Sequence, residues 1–464
     1  MAMGRRSEVG GSLEDAIGRA GSAVELLYNS RAGRRPFPVV PAEFSNWRDE
    51  QRAWRESCAL LDQSHHMTDL YVEGPDALRL LSELGVNSFE GFAKDKAKQF
   101  VACNPQGYVI GDVILYYLEE NRLDLVGRPA VLNWVRYRAE IGGHDVAFEV
   151  DENSAVRRGA PPKVYRYQVQ GPEAAALMRE VVEGELPEVR FFNTADVRIG
   201  GCRVRALRHG MAGRPGYELS GPWEERERVI GAILEAGENH GLRRAGSLAY
   251  SAANLESGWL PAPLPAIYTG EEMKPYRQWL PADGYEATTS LGGSFYSERI
   301  EDYYFTPYEL GYGRFVKFDH DFVGREALEE MADAPQRRKV TLVWEGEDVA
   351  GVFGSLFERE GLPAKYIDLP SSWYAMHQYD RVLGDGETVG ISTYCGYSYN
   401  ERAMLSLAVV EEEFCEPGTE VVLLWGEEPN SAKPQVEEHR QVEIRARVQP
   451  APLVEFARTA YRSS

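Results

Sequence analysis

One pattern recurs in this sequence and restricts its fold more than any other feature: a strand-like run ending in Gly-Pro, then an acidic or aromatic residue, then a helical run. It occurs at DLYVEGPDALRLLSEL (residues 69–84), YQVQGPEAAALMREVV (167–182) and YELSGPWEERERVIGAILEAG (217–237). In each copy the alternating side chains suit a half-buried strand. Gly74, Gly171 and Gly221 permit a sharp exit, Pro75, Pro172 and Pro222 carry the φ of a first helical turn, and Asp76, Glu173 and Glu224 fall near the positive end of the helix dipole. A strand that delivers the chain straight into a helix lays that helix over its own sheet. The region to about residue 260 is therefore expected to be α+β, with helices on mostly antiparallel sheets.

Between residues 260 and 313 the text changes to PAPLPAIYTG, WLPADGYEA and LGGSF, rich in Pro, Gly and aromatics and without periodicity. A connection of this length is either functional or disordered, and its aromatics argue for a segment packed over the core. FVGREALEEM (322–331) reads as a short helix after a glycine turn. From Arg338 onward KVTLVW, MLSLAVV, EVVLLW and VEIRARV alternate between turn clusters, the signature of a β-barrel or sandwich.

The chain has 464 residues, room for about three domains or two large ones. Its 51 Lys and Arg against 72 Asp and Glu leave a net charge of −21, which repels a phosphate backbone and excludes general nucleic-acid binding. Cys58, Cys103, Cys202, Cys395 and Cys415 form no CxxC pair, which argues against a disulfide framework or a cysteine zinc site and fits a reducing cytoplasm. No apolar run approaches the length of a membrane span, and the basic pair near the N-terminus has no apolar stretch behind it, so a soluble cytosolic protein is expected. The 25 Tyr, 17 Phe and 9 Trp supply planar side chains for flat ligands. No GxxxxGKS/T loop occurs, and GYGRFV (311–316) lacks the third glycine and preceding strand of a dinucleotide fingerprint. HExxH and EF-hand motifs are absent too, and His65 and His66, as neighbours on a strand, would point to opposite faces. No protein-bound metal is expected.

Four stretches together, DQSHHMTDLYVEGPDAL, GYVIGDVILYYL, GRPGYELSGP and DFVGREAL, resemble the folate-binding aminomethyltransferase superfamily that includes the T-protein of the glycine cleavage system. VVPAEFSNWRDE, RHGMAGRPGYEL, LESGWLPAPLPAIYTG, EDYYFTPYELGYGRFVKFDHDF and GYSYNERAMLSLA are similar to the bacterial tetrahydrofolate-dependent aryl O-demethylases that act on lignin-derived methoxybenzoates. The resemblance implies an α+β chain of three domains, two antiparallel ferredoxin-like α+β domains and a C-terminal β-barrel, around a central folate channel. Residues 1–335 would form the folate-binding catalytic region, with an approximate split near 65–165 versus the rest, and 336–464 the barrel. The implied reaction moves a methyl group from a methoxybenzoate-type ether to tetrahydrofolate, giving a phenol and 5-methyltetrahydrofolate. The alternative is another aminomethyl or methyl transfer of the same superfamily, or a non-catalytic folate-binding protein; the latter carry a KGCYIGQE-like stretch, whereas DFVGREAL here has no cysteine. Both small molecules are the expected partners, and neither the particular methoxyarene nor the oligomeric state follows from the sequence.

Phenolate is a poor leaving group, so the departing oxygen needs a proton or a strong hydrogen bond in the transition state. By the resemblance Tyr250, in GSLAYSAANLESGW, is the catalytic acid, a phenol giving its proton to an oxygen of similar proton affinity. Taken by itself it reads equally as a half-buried tyrosine with a satisfied hydroxyl. Glu218 matches the pterin-binding glutamate, whose carboxylate accepts two parallel hydrogen bonds from the aminopyrimidinone, with Tyr217 beside it. His66 and Arg128 match positions near the substrate: Arg128 as a planar fork for a benzoate carboxylate, His66 as a partner of a ring hydroxyl or of the leaving oxygen. Without the resemblance they read as a capped strand residue and a surface ion pair. The resemblance further implies that Asp112 falls beside the reacting amine, that Gln168 and Gln170 line the folate channel, and that Trp259 stacks on pterin or arene, unless it is an ordinary core residue. Where an aromatic hydroxyl is expected near RAGRRPFPVV, the chain has Phe37, which implies a less polar substrate ring or a differently held acid group; Arg34 and Arg35 read as a solvated basic loop.

Overall fold

The computed structural model describes residues 10–461 apart from 34–36, 158, 262, 429–430 and 432; Arg34 and Arg35 lie outside the described residues. Two open sheets and a closed barrel organise the chain. The six-stranded sheet runs Leu242–Ala245, Cys58–Asp62, Val164–Gln170, Gly216–Pro222, Cys202–Arg208, Thr194–Ile199. It is antiparallel except where Cys58–Asp62 meets Leu242–Ala245. The five-stranded sheet, wholly antiparallel, runs Ala97–Cys103, Val109–Glu119, Arg122–Gly127, Thr68–Glu73, Ala147–Asp151. The barrel closes through Arg338–Trp344, Ala403–Val410, Glu387–Ser398, Asp380–Gly384, Glu420–Trp425 and Val442–Pro450.

Two copies of the repeated unit keep the expected strand, glycine exit and helix. Gly74 and Gly171 take φ of 148° and 129°, and the backbone at Asp145 and Ser57 leaves no room for a Cβ there. The helices that follow, Ala77–Ser82 and Ala174–Val181, are entered through Asp76 and Glu173, so the prolines precede the cap instead of opening the first turn. The third copy departs. Gly221 and Pro222 stay in the strand, and a 3-10 turn, Trp223–Glu225, intervenes before the helix Arg226–Gly237. His65 and His66 likewise occupy a turn after Cys58–Asp62, not a strand, although they still point apart.

Strand alternation then decides what each sheet presents. On Val164–Gln170 and Gly216–Pro222 the residues Tyr165, Tyr167, Val169, Tyr217 and Leu219 enter an apolar core under the two helices. The opposite face carries Arg166, Gln168, Gln170 and Glu218, all buried. On Val109–Glu119 the residues in phase are Asp112, Ile114 and Tyr116, and Tyr116 shares an apolar cluster with Leu207 of the other sheet. The two sheets therefore confront one another across a partly polar seam. The segment from Leu260 to Tyr312 packs against the largest core through Leu264, Ile267, Tyr276 and Tyr304, as its aromatics predict.

Candidate functional site

The helix Ser247–Ser257 sets Tyr250 at one end of the seam. Its Oη lies 3.0 Å from His66 Nε2 and accepts a hydrogen bond from Gln63 Nε2 at 3.3 Å. Phe37 stacks on the His66 ring at 4.3 Å between centroids and stands 4.8 Å from the Tyr250 ring. Burial, then the charges of Arg128 and Arg166, push the His66 pKa down to about 3, so the imidazole is neutral at neutral pH. Burial raises the Tyr250 hydroxyl above its ordinary range, opposed by the Gln63 hydrogen bond and the Arg128 charge. Arg128 precedes the helix Pro129–Gly142, is half-buried, and makes no hydrogen bond or ion pair among the described residues. A guanidinium without a hydrogen-bond or ion-pair partner among the described residues, near enough to act electrostatically on His66 and Tyr250, suits a carboxylate ligand.

Further along the seam the polar groups are charged. Arg166 Nη2 lies 2.8 Å from Asp69 Oδ1, and its Nε lies 3.1 Å from Glu218 Oε1. The Tyr116 hydroxyl donates to the same Oε1, and Oε2 has no hydrogen-bond partner among the described residues. Burial raises Glu218, with Arg166 and Tyr116 opposing it. Asp124 is pushed well above the carboxylate range by burial and by Asp69 beside it. Asp69 and Glu218 thus share one guanidinium inside a buried polar group that ligand N–H donors can complement.

Asp112 sits four residues from Tyr116 on the same strand face, about 13 Å away along the strand. Its Oδ2 accepts from Gln99 Nε2 at 2.7 Å, Trp259 Nε1 at 2.9 Å and Tyr312 Oη at 3.3 Å. Burial raises its pKa, and those donors together with the nearby Lys339 oppose the shift.

The structure thus gathers Tyr250, His66 and Phe37 at one end with Arg128 nearby, Glu218, Gln168 and Gln170 on one sheet face, and Asp112 on the facing sheet with Trp259 against it. Trp259 donates to Asp112 through its indole N–H instead of lying free as a platform. Tyr217 is not brought in: one residue from Glu218 on a strand, it points to the opposite face and packs in the helix-covered core beneath Arg208. Gln63, Tyr116, Arg166, Gln99 and Tyr312 were missed by the sequence reading. Arg166 was legible by phase, two residues before Gln168, and Tyr116 likewise by its phase with Asp112. The others are contacts between distant segments.

Folding leaves polar atoms here unpaired, which is uncommon for buried groups. Gln63 Oε1, His66 Nδ1, Gln168 Oε1 and Gln170 Nε2 are all buried without a hydrogen-bond partner among the described residues. Two clefts of about 410 and 440 Å³ lie elsewhere, against the barrel, the first lined by residues including Tyr304 and Arg337 and the second by Tyr308 and Lys339; neither is lined by Tyr250, His66 or Glu218. The seam, not these clefts, holds the convergent polar groups that a ligand would satisfy. Among the described residues no group of His, Cys, Asp and Glu is placed to hold a metal ion, and no helix is long and apolar enough to cross a membrane.

Known proteins resemble this chain along most of its length. A family profile described as the GCVT N-terminal domain matches residues 31–262. The chain is 50% identical over 455 residues to the syringate O-demethylase of Sphingobium sp. (strain NBRC 103272 / SYK-6), covering 98% of each protein. It is 32% identical to the sesamin methylene transferase of Sinomonas sp. (strain No.22), over 84% of this chain and 87% of that one. Among solved structures it resembles the glycine cleavage system aminomethyltransferase T from Bartonella henselae, with a TM-score of 0.60 at 18% identity, covering 92% of this chain and 95% of that one.

Proposed function

The chain belongs to the GCVT family, and we propose that it is a tetrahydrofolate-dependent O-demethylase of methoxybenzoate-type aryl ethers. The C–O bond of the methyl ether breaks, a C–N bond forms to the secondary amine of the reduced pterin, the amine loses a proton and the aryl oxygen gains one. The products are a phenol and 5-methyltetrahydrofolate.

Tyr250 supplies the proton, or a strong hydrogen bond, to the departing oxygen. Burial makes a free tyrosinate costly, so transfer is coupled to departure of the aryl oxide, and the Gln63 amide and Arg128 charge lower that cost. In the tautomer that carries its proton on Nε2, neutral His66 donates to the Tyr250 oxygen and leaves the Tyr250 proton free to face the ether. Arg128 holds the substrate carboxylate, and Phe37 caps the arene beside His66. Glu218 accepts from the pterin through Oε2 while Arg166 and Tyr116 fix Oε1. Gln168 and Gln170 offer an acceptor and a donor to the same ligand, and Asp112 orients the reacting amine. Direct displacement tolerates little misalignment, and this rigid seam supplies the alignment.

The observation that carries the reading is the Tyr250–His66–Gln63 cluster, with its unpaired Gln63 and His66 atoms, at the end of a seam whose glutamine amides are also unpaired. The working division of the chain into 1–335 and 336–464 follows the same reading, supported by the first barrel strand at Arg338–Trp344. A cytoplasmic location is supported by five free thiols. The test is turnover of a panel of methoxybenzoates with tetrahydrofolate, read by mass spectrometry. Loss of one methylene mass from the arene, with gain of it by the folate, is expected. Consumption of methylenedioxyarenes and not of methoxyarenes would replace methyl transfer with methylene transfer.

A further inference from the structure

Neither glutamine amide of the seam orients itself. Gln168 Nε2 donates to the His209 carbonyl at 2.8 Å, and Gln170 Oε1 accepts from the Met211 N–H at 2.7 Å. These two bonds commit each amide: Gln168 is left presenting an acceptor and Gln170 a donor, and those are the two atoms without partners. The polarity of the site is therefore written in the backbone of residues 209–211. That backbone belongs to the loop that joins the strands Cys202–Arg208 and Gly216–Pro222, which contains Gly210 and Gly213 and holds Ala212 and Gly213 at φ of 44° and 62°.

The loop is clamped from the far end of the chain. The Tyr461 hydroxyl accepts from the Gly210 N–H at 2.9 Å, donates to the Gly210 carbonyl, and lies 3.3 Å from His209 Nδ1. Its ring packs edge-on against Phe191 at 5.0 Å, and Phe456, five residues earlier, lies beneath the Arg214 guanidinium at 5.6 Å. We infer that Tyr461 is a positioning residue of the transfer site: by fixing both polar groups of Gly210 it sets which atom of Gln168 and of Gln170 faces the ligand. A hydroxyl that both accepts and donates at one residue resists rotation of the adjoining peptides. A rotated peptide would offer a donor where Gln168 needs an acceptor, and the amide would turn over.

The inference rests on the folate reading of the seam, and its test separates the two. Tetrahydrofolate affinity is measured by anaerobic calorimetry for the full chain, for Tyr461→Phe, for Gln168→Leu and for the double variant, with melting temperatures alongside. Tyr461→Phe keeps the ring against Phe191 and is expected to weaken tetrahydrofolate binding about fivefold to tenfold. In the Gln168→Leu background the same change is expected to cost less than about twofold, because the amide it orients is gone. Unaltered affinity in Tyr461→Phe, or an equal loss in both backgrounds, overturns the inference, since a purely structural tyrosine lowers the melting temperature without this coupling. Absence of binding by the unaltered chain would instead overturn the folate reading. If Tyr461→Phe does not fold, the cycle is run with Phe456→Leu, which loosens the same segment from Arg214, under the same criteria.

Discussion

The two ends of the seam solve opposite electrostatic problems. Around Tyr250 the nearest groups are uncharged: a neutral imidazole, a phenol, an amide and the Phe37 ring, with Arg128 as a free cation beyond them. Around Glu218 the ionisable groups are buried and paired, with Arg166 between Asp69 and Glu218. Charge that appears only during reaction is best met by groups that are neutral at rest and polarisable on demand, while a ligand recognised by its N–H donors needs a carboxylate already ionised. One end can therefore lose its key residue with little loss of fold, and the other cannot.

The largest expected effect breaks the charged end. Arg166→Met leaves Asp69 and Glu218 buried without their cation and should cost about 3 kcal/mol or more of stability in chemical denaturation. A loss below about 1 kcal/mol would mean that the seam is wet and the pair screened. Next, Tyr250→Phe should melt like the parent and bind tetrahydrofolate, yet turn over methoxybenzoates roughly a hundredfold more slowly. Retained turnover would move the proton source elsewhere. Glu218→Ala should weaken tetrahydrofolate binding by about 2 kcal/mol, read by calorimetry, while the methoxybenzoate KM changes little; an unchanged folate affinity would separate Glu218 from the pterin.

The smallest effect concerns pH. The His66 pKa is depressed to about 3, so the unfolded chain takes up a proton near its ordinary pKa of 6.5 while the folded chain does not. The contribution of neutral His66 is complete above that value and is lost progressively as pH falls from about 6.5 toward 3. His66→Asn should therefore flatten the acid side of the melting-temperature profile over that window. His209, held down to about 4 by burial, contributes in the same direction and stays in both proteins, which leaves a residual slope.

Much of this was legible beforehand. Gly-Pro exits at Gly74 and Gly171, the alternating runs of the barrel, and the phase of Arg166, Gln168 and Gln170 are local facts of strand geometry. Strand phase also explains why Tyr217 is not gathered with the other candidates. Tyr217 adjoins Glu218, and neighbours on a strand cannot face one ligand. The third Gly-Pro failed for a similar reason: with Gly221 paired to Tyr165 across the ladder, the strand continued through it.

What the amino-acid order settled alone is periodicity, that is, which residues of a strand share a face, together with the net charge of −21. Only the folded chain decided which faces meet. Gln63 reaches Tyr250 across 187 residues, Tyr312 reaches Asp112 across 200, and Tyr461 reaches Gly210 across 251. Such contacts depend on how separately formed sheets and segments pack, a choice governed by the summed burial of many side chains, and no local spacing records it.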